Sequence, residues 1–207
     1  AALPDPRAVD KSVPEYKNPF HPSTYAHFVA RKDYRKTYDV YKDDTLLNRQ
    51  PKKSRKIFVC LDEQRGQYLV DGLVAMDFPL SSGVKAYPTK TGDYAVISKK
   101  EDHTSNLYGK MYDAEGKCIN YNAESTDPVP EGGRFDGSPM PYWQRLTNAG
   151  LGLHVGKVRR HPVSHGCVRL PRNVAEILYR QTSIGTPVTI RKTPLPVPEA
   201  QKVPAVQ

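Results

Sequence analysis

The sequence contains no apolar run approaching the roughly 20 residues a helix needs to cross a bilayer, so no transmembrane segment is expected. Acidic residues are in deficit: 22 Asp and Glu face 31 Lys and Arg, a formal net charge of +9. That balance favours polyanionic surroundings such as nucleic acid, anionic lipid or anionic cell-wall polymer. The basic charge is spread rather than gathered into a dense block, and no nucleic-acid motif accompanies it, so nucleic acid is not expected as a partner. The opening Ala1-Ala2-Leu3-Pro4 lacks a basic and then apolar leader. A mature chain cut at small residues would begin this way, and so would a trimmed one.

Cysteine is scarce. Cys60, Cys118 and Cys167 are the three in the chain, and an odd number leaves at least one thiol unpaired. Cys60 lies in the apolar run Ile57-Phe58-Val59-Cys60-Leu61, where it behaves as a small buried hydrophobe. A Cys60–Cys118 disulfide is open to an oxidising compartment. Cys167 stands apart because of its neighbours, Ser164-His165-Gly166-Cys167.

At 207 residues the chain has room for one domain with a proper core, plus extensions. Residues 1–55 mix Pro, Tyr and Lys without sustained periodicity and carry 12 Lys and Arg against 7 Asp and Glu. They are read as a basic arm that wraps or precedes the domain, with a short helix within Ser23–Tyr41, where Tyr25, Phe28 and Val29 recur at helical spacing. Residues 56–192 change to short apolar runs punctuated by turns. Lys56–Leu61 and Gln67–Val70 form a hairpin, and Leu73–Leu80, Asp93–Ser98, Gly150–His154 and Pro187–Arg191 give further strands. Arg172–Thr182 is a helix with the stripe Val174, Ile177, Leu178, which Asn173 is placed to cap. Residues 193–207 are Pro-rich and are read as a flexible or extended tail. The fold class is mainly β with one or more helices.

A thiol is a good nucleophile only as thiolate, and a neighbouring His or helix N-terminus favours that form. An acyl-transferring cysteine needs a base, a group to orient the base, and donors for the oxyanion. His154, at the end of a strand, and His165, two residues from Cys167, are both candidate bases, and their spacing does not choose between them. Gly166 permits a tight turn with backbone N–H groups open to a substrate carbonyl. Ser164 is suited to satisfying backbone groups in that turn. His154, His161, His165 and Cys167 have the ligand types zinc prefers, but their spacing matches no common structural zinc pattern. Neither a metal nor a cofactor is expected.

These residues carry a resemblance. His154, then Ser164-His165-Gly166-Cys167-Val168-Arg169, is similar to the signature of L,D-transpeptidase catalytic domains of the YkuD type. Two further segments agree with it in order: Glu63-Gln64-Arg65 after the opening strand, and Pro88-Thr89-Lys90-Thr91-Gly92-Asp93-Tyr94. The resemblance covers roughly residues 56–192 and implies a β-sandwich-like catalytic domain. It implies that Cys167 attacks a peptidoglycan stem tetrapeptide to give a thioester. His154 would be base and then acid, oriented by a neighbouring backbone carbonyl. His165 would support the thiolate, N–H groups around Gly166 and Cys167 would hold the oxyanion, and Arg169 would steady the loop or the site's charge. Tyr142 and Trp143 would line the substrate cleft, although both types serve equally well as core aromatics. Nine residues separate His154 from Ser164, fewer than in many members, which bears on the loop beside the cleft rather than on any reacting group.

The implied partners are peptidoglycan stem peptides, in a periplasmic or cell-envelope location. The charge of residues 1–55 suits them to dock on an anionic cell-wall polymer or to cover part of the cleft. Two activities follow from the same residues: transpeptidation to an amine or protein acceptor, and hydrolysis of the same donor as an L,D-carboxypeptidase or amidase. A third reading, a non-catalytic wall-binding module, rests on the +9 charge and the basic arm, and the retained catalytic-type groups argue against it.

Overall fold

A computed structural model describes residues 2–206. The N-terminal segment forms a short helix, α1 (Tyr25–Val29), a two-residue strand, β1 (Tyr41–Lys42), and a second short helix, α2 (Asp44–Leu47). The antiparallel meander β2 (Arg55–Cys60), β3 (Arg65–Val70) and β4 (Leu73–Pro79) follows. Next come β5 (Gly92–Ala95), β6 (Ser98–Lys100), β7 (Thr104–Tyr112), β8 (Cys118–Glu124), β9 (Arg134–Pro139) and β10 (Trp143–Arg145). The chain then runs through β11 (Gly152–Val155), β12 (Val168–Leu170), α3 (Arg172–Gln181) and β13 (Pro187–Arg191).

Three sheets result, ordered β1-β4-β3-β2-β13-β5, β12-β11-β10-β6 and β8-β7-β9. The main core is assembled from the first two sheets and α3: Ile57 and Val59, Tyr68 and Val70, Leu153, Val168, Val174, Leu178 and Ile190 are all buried in one cluster. No helix among the described residues is long and apolar enough to cross a membrane.

The side-chain alternation of a strand gives β3 two working faces. Tyr68 and Val70 enter the main core, and Gly66 lies so close under Phe78 that a Cβ there would meet its ring at 2.4 Å. Arg65, Gln67 and Leu69 face the other way, toward the N-terminal segment. That segment is therefore a cover with its own core: Phe20, Tyr25, Phe28, Val29 and Tyr34 pack with Val74 of β4 and Val197 of the tail. Thr24 caps α1, accepting from the His27 N–H.

Under this cover lies a buried carboxylate. Asp77 Oδ1 accepts from Arg65 Nε at 2.5 Å, and Oδ2 accepts from the hydroxyls of Tyr25 (2.6 Å) and Tyr34 (2.8 Å) and from Gln67 Nε2 (3.0 Å). Burial first, and the Asp77 charge second, hold both phenols protonated, so that they donate. Arg65 extends the network by donating to the backbone carbonyls of Thr37 (3.0 Å) and Asp39 (2.8 Å).

Several expectations need correction. The C-terminal stretch is extended but not free. Gln201 accepts from the Val74 N–H and donates to its carbonyl, and Phe20 pairs with Pro204. Asn173 lies inside α3; Pro171, whose ring fixes φ, stands at the cap position without a side-chain cap bond. Cys60 and Cys118 are not joined: Cys60 is buried in β2 of the large sheet, whereas Cys118 begins β8 of the outlying three-stranded sheet. The strands β7–β9 have no counterpart in the sequence reading. Their residues are mostly exposed or half-buried, so the apolar alternation that marks a half-buried strand is missing.

Replacing Asp77 with Ala removes the buried carboxylate that Arg65 Nε, the Tyr25 and Tyr34 hydroxyls and Gln67 Nε2 share. It is expected to lower stability by about 3–5 kcal/mol, and Tyr25→Phe by about 1 kcal/mol. The midpoints of urea denaturation check both.

Candidate active site

β11 and β12 run parallel, with Leu153 opposite Val168 and His154 opposite Arg169. In this register Cys167, one residue before β12, falls level with Gly152, two residues before His154 on β11, and His154 and Cys167 line the same cavity, of about 880 Å³. Glycine at 152 is required by the neighbouring strand: a Cβ there would lie 2.5 Å from the Trp143 ring and 2.6 Å from the Gln144 carbonyl.

His154 is buried, and its Nδ1 lies 2.7 Å from the carbonyl of Val155. A carbonyl only accepts, so Nδ1 carries the proton and the unprotonated nitrogen is Nε2. Burial drives the imidazole pKa down to about 4; the Val155 carbonyl opposes this, while the charges of Arg169 and His103 add to it. The ring is therefore neutral at neutral pH and keeps a free lone pair. Trp143 stands over it at 6.1 Å, with His103 stacked on Trp143 at 5.0 Å.

Cys167 is half-buried. Its thiol donates to the Gly150 carbonyl at 3.3 Å. Burial raises the thiol pKa, while the Gly152 N–H and the charges of Arg169 and Arg145 pull it down. In the resting state the two groups are thus a neutral thiol and a neutral imidazole, not a thiolate–imidazolium pair. A proton must move when the nucleophile forms.

The turn that presents Cys167 is held from within and from outside. Ser164 Oγ donates to the Cys167 carbonyl (2.5 Å) and accepts from the Gly166 N–H (3.1 Å). Gly166 has φ 123°, a conformation side chains rarely adopt. From outside, Thr89 Oγ1 donates to the Gly166 carbonyl (2.6 Å) and accepts from the Gly83 N–H (2.8 Å). The Ser82 carbonyl accepts from the N–H groups of Val163 (2.8 Å) and Ser164 (3.1 Å), and Ser81 pairs with Arg169 through both backbone groups. Gln64 holds this support in turn: its side chain donates to Ser82 Oγ (2.8 Å) and accepts from the Ser82 N–H (3.0 Å). The segments Glu63-Gln64-Arg65 and Pro88-Thr89 thereby act as scaffolding for the cysteine turn.

Of the residues singled out from the sequence, Trp143, His154, Ser164, His165, Gly166, Cys167 and Arg169 all line the cavity. Tyr142 does not. It packs against the main core and meets Tyr179 of α3 edge-on at 5.5 Å. The ring of exposed His165 is stacked on Tyr108 (4.4 Å, 15°) and lies against Tyr87 (4.9 Å), so its contacts are aromatic. The Gly166 N–H is taken by Ser164, leaving the Cys167 N–H, which makes no hydrogen bond among the described residues, as the free donor of the two. His161 is an exposed loop residue, and no group of three or more His, Cys, Asp or Glu among the described residues is placed to hold a metal. Sequence reasoning missed Tyr87, Tyr108, Gly150 and His103. Tyr108 comes from β7, whose exposed residues give no periodic signal. Gly150 acts only through its carbonyl, which any residue possesses.

A neutral, half-buried thiol should alkylate slowly at pH 7. Followed on the Cys167 peptide, its iodoacetamide rate is expected to rise with a midpoint above the ordinary cysteine range; a midpoint below 7 would contradict the neutral pair. Thr89→Val strands the Gly83 N–H and the Gly166 carbonyl. It should cost about 1–3 kcal/mol and change the Cys167 alkylation rate, whereas Thr89→Ser should restore both.

A family model described as YkuD, L,D-transpeptidase catalytic domain, matches residues 54–190. A curated relative, "Probable L,D-transpeptidase 3" of Mycobacterium tuberculosis, is 31% identical over 121 residues, covering 55% of this chain and 38% of that protein. Among solved structures, an L,D-transpeptidase from Mycobacterium smegmatis superposes with a TM-score of 0.51 at 21% identity, over 67% of this chain and 58% of that one. L,D-transpeptidase 3 from Mycobacterium tuberculosis gives 0.50 at 23% identity, over 67% and 61%. These structural likenesses bear on the fold. The chain spans well under two thirds of the length of the curated relative and of the first of these structures.

Proposed function

This chain belongs to the YkuD family of L,D-transpeptidase catalytic domains, and on that premise we propose that it cross-links peptidoglycan stem peptides through a thioester on Cys167. The observation that carries the reading is the state of His154: buried, neutral, with Nδ1–H fixed on the Val155 carbonyl and Nε2 left as a base, in one cavity with Cys167.

The Cys167 thiol passes its proton to His154 Nε2 as sulfur bonds to the carbonyl carbon of the L-residue in a stem tetrapeptide. The carbonyl oxygen gains charge opposite the Cys167 N–H. As the amide C–N bond breaks, His154 returns the proton to the departing amine of the terminal D-residue. An acceptor amine then attacks the thioester, gives its proton to His154, and the thiol is restored. Arg169, opposite His154 across the strand pair, favours the transient thiolate. His165, between Tyr87 and Tyr108, positions the turn rather than touching the reacting atoms. With water in place of the amine the same residues run an L,D-carboxypeptidase, the alternative reading. A periplasmic or cell-envelope location belongs to the proposal, as does an anionic wall polymer as partner of the basic N-terminal segment.

Incubation with purified disaccharide tetrapeptide distinguishes the readings: cross-linked dimer is expected, and tripeptide without dimer would favour hydrolysis. Cys167→Ala should show no acyl adduct by intact mass while keeping the wild-type melting profile. His154→Gln should lower kcat/KM by about 10²–10⁴-fold. Because the imidazole must be neutral, the acid limb of kcat/KM should fall near its depressed pKa of about 4, not near 6.5, with activity lost as pH drops through it.

A further inference from the structure

Away from the catalytic cavity, the N-terminal segment and the β2–β3 turn border a second, solvent-open cavity of about 370 Å³, within the size range of small-ligand pockets. Arg7, Lys11, Arg31, Lys32, Arg35 and Lys36 line it against a single carboxylate, Glu63. That carboxylate is already engaged. Glu63 accepts from Arg7 Nε at 3.0 Å and from the Tyr34 hydroxyl at 3.4 Å, and its side chain is 1% exposed. Arg31 is likewise taken, by Asp33 (2.7 Å) and Asp39 (2.8 Å). The other nearby acids turn elsewhere: Asp5 accepts from the Arg7 N–H and Asp10 from Ser12.

Four cations remain without a carboxylate partner among the described residues: Lys11, Lys32, Arg35 and Lys36. Lys11 Nζ donates to the Val29 carbonyl (2.9 Å) and Lys32 Nζ to the Val13 carbonyl (3.3 Å), and each ammonium has further N–H donors. The Arg35 and Lys36 side chains make no hydrogen bond among the described residues. Burial, then the charges of Arg7 and Arg35, pull the Lys11 pKa down against the opposing charges of Glu63 and Asp5. Four like charges gathered in one concavity repel one another, and an anion between them relieves that repulsion. A single carboxylate offers too little charge for four cations. A phosphate presents more acceptor oxygens and fits the fork of an arginine.

We propose that this basin is a binding site for a phosphate-bearing anion, with a phosphodiester polymer as its occupant. The anion chemistry stands on the basin alone. Only the choice of a wall polymer as its source rests on the envelope reading above, so the site survives or fails independently of the activity. The basin also touches the catalytic half of the molecule. Arg160, in the spacer between His154 and Ser164, donates to the carbonyls of Arg35 (2.7 Å), Glu63 (3.0 Å) and Thr37.

The test is titration calorimetry of the full chain with inorganic pyrophosphate and with a glycerol-phosphate oligomer, alongside co-sedimentation with phosphatidylglycerol and phosphatidylcholine vesicles. Saturable binding of pyrophosphate and oligomer is expected, weakening as salt rises. Arg35→Glu with Lys36→Glu should weaken it at least about tenfold, roughly 1.4 kcal/mol, with melting temperature and Cys167 alkylation unchanged. Lys52→Glu with Lys53→Glu, the same charge change outside the basin, should leave binding within about twofold. Equal losses in both double variants would overturn the proposal in favour of diffuse surface charge. So would the absence of binding by the wild-type chain, or binding to phosphatidylglycerol vesicles alone. Should the Arg35/Lys36 variant fail to fold, Lys32→Gln with Lys36→Gln, set against Lys52→Gln with Lys53→Gln, carries the same comparison.

Discussion

The carboxylate of Asp77 is the constraint on which much of the molecule depends. A buried, unpaired charge is expensive, and this one is stabilised only because four donors converge on it from β3 and from the N-terminal segment. Two of those donors, Tyr25 and Tyr34, lie far from Asp77 in sequence. The N-terminal segment must therefore close over β3 and β4 for the sheet to be stable. The same demand places the carbonyls of residues 35–39, which serve Arg65 and Arg160 together: Thr37 accepts from both guanidinium groups. Through Arg160, a cover that touches no reacting atom helps to set the course of the spacer between His154 and Ser164.

The site is a case of neutral groups kept neutral. Burial lowers the His154 pKa and raises that of Cys167, so both effects oppose ionisation before substrate arrives. In the proposed reaction, charge develops only once the thiol gives up its proton. The groups that would then count are fixed beforehand: the Val155 carbonyl behind the imidazole, Arg169 beside the thiol, and the free Cys167 N–H. Such preorganisation costs nothing at the moment of reaction. It requires a rigid turn, and the hydrogen bonds from Ser164, Thr89, Ser82 and Gln64 supply that rigidity.

Above the turn, the three-stranded sheet contributes Tyr108 to a stack on His165. This contact gives the histidine beside the nucleophile a packing role and joins the otherwise solvated sheet to the catalytic turn. The cavity is lined by β7 and β8 on one side and by β10–β12 on the other.

The sequence by itself determined what depends on short-range pattern. The β2–β3 hairpin, the strand at 187–191, the helix at 172–181 and the glycine of the cysteine turn follow from alternation, helical spacing and the conformational freedom of glycine. The tetrapeptide Ser164–Cys167 was enough to single out Cys167 as the candidate nucleophile. Tertiary structure decided what depends on distant partners. It buried His154 with Nδ1 on the Val155 carbonyl, gave His165 to two tyrosines, turned Tyr142 into the core, and folded residues 2–55 and the described tail onto the sheet. The physical reason is the range of the forces involved. Backbone preference and periodicity act within a few residues and leave a mark in the sequence. Burial, pKa and the pairing of Asp77 or Gln201 arise between segments dozens of residues apart, and only the closed fold brings those together.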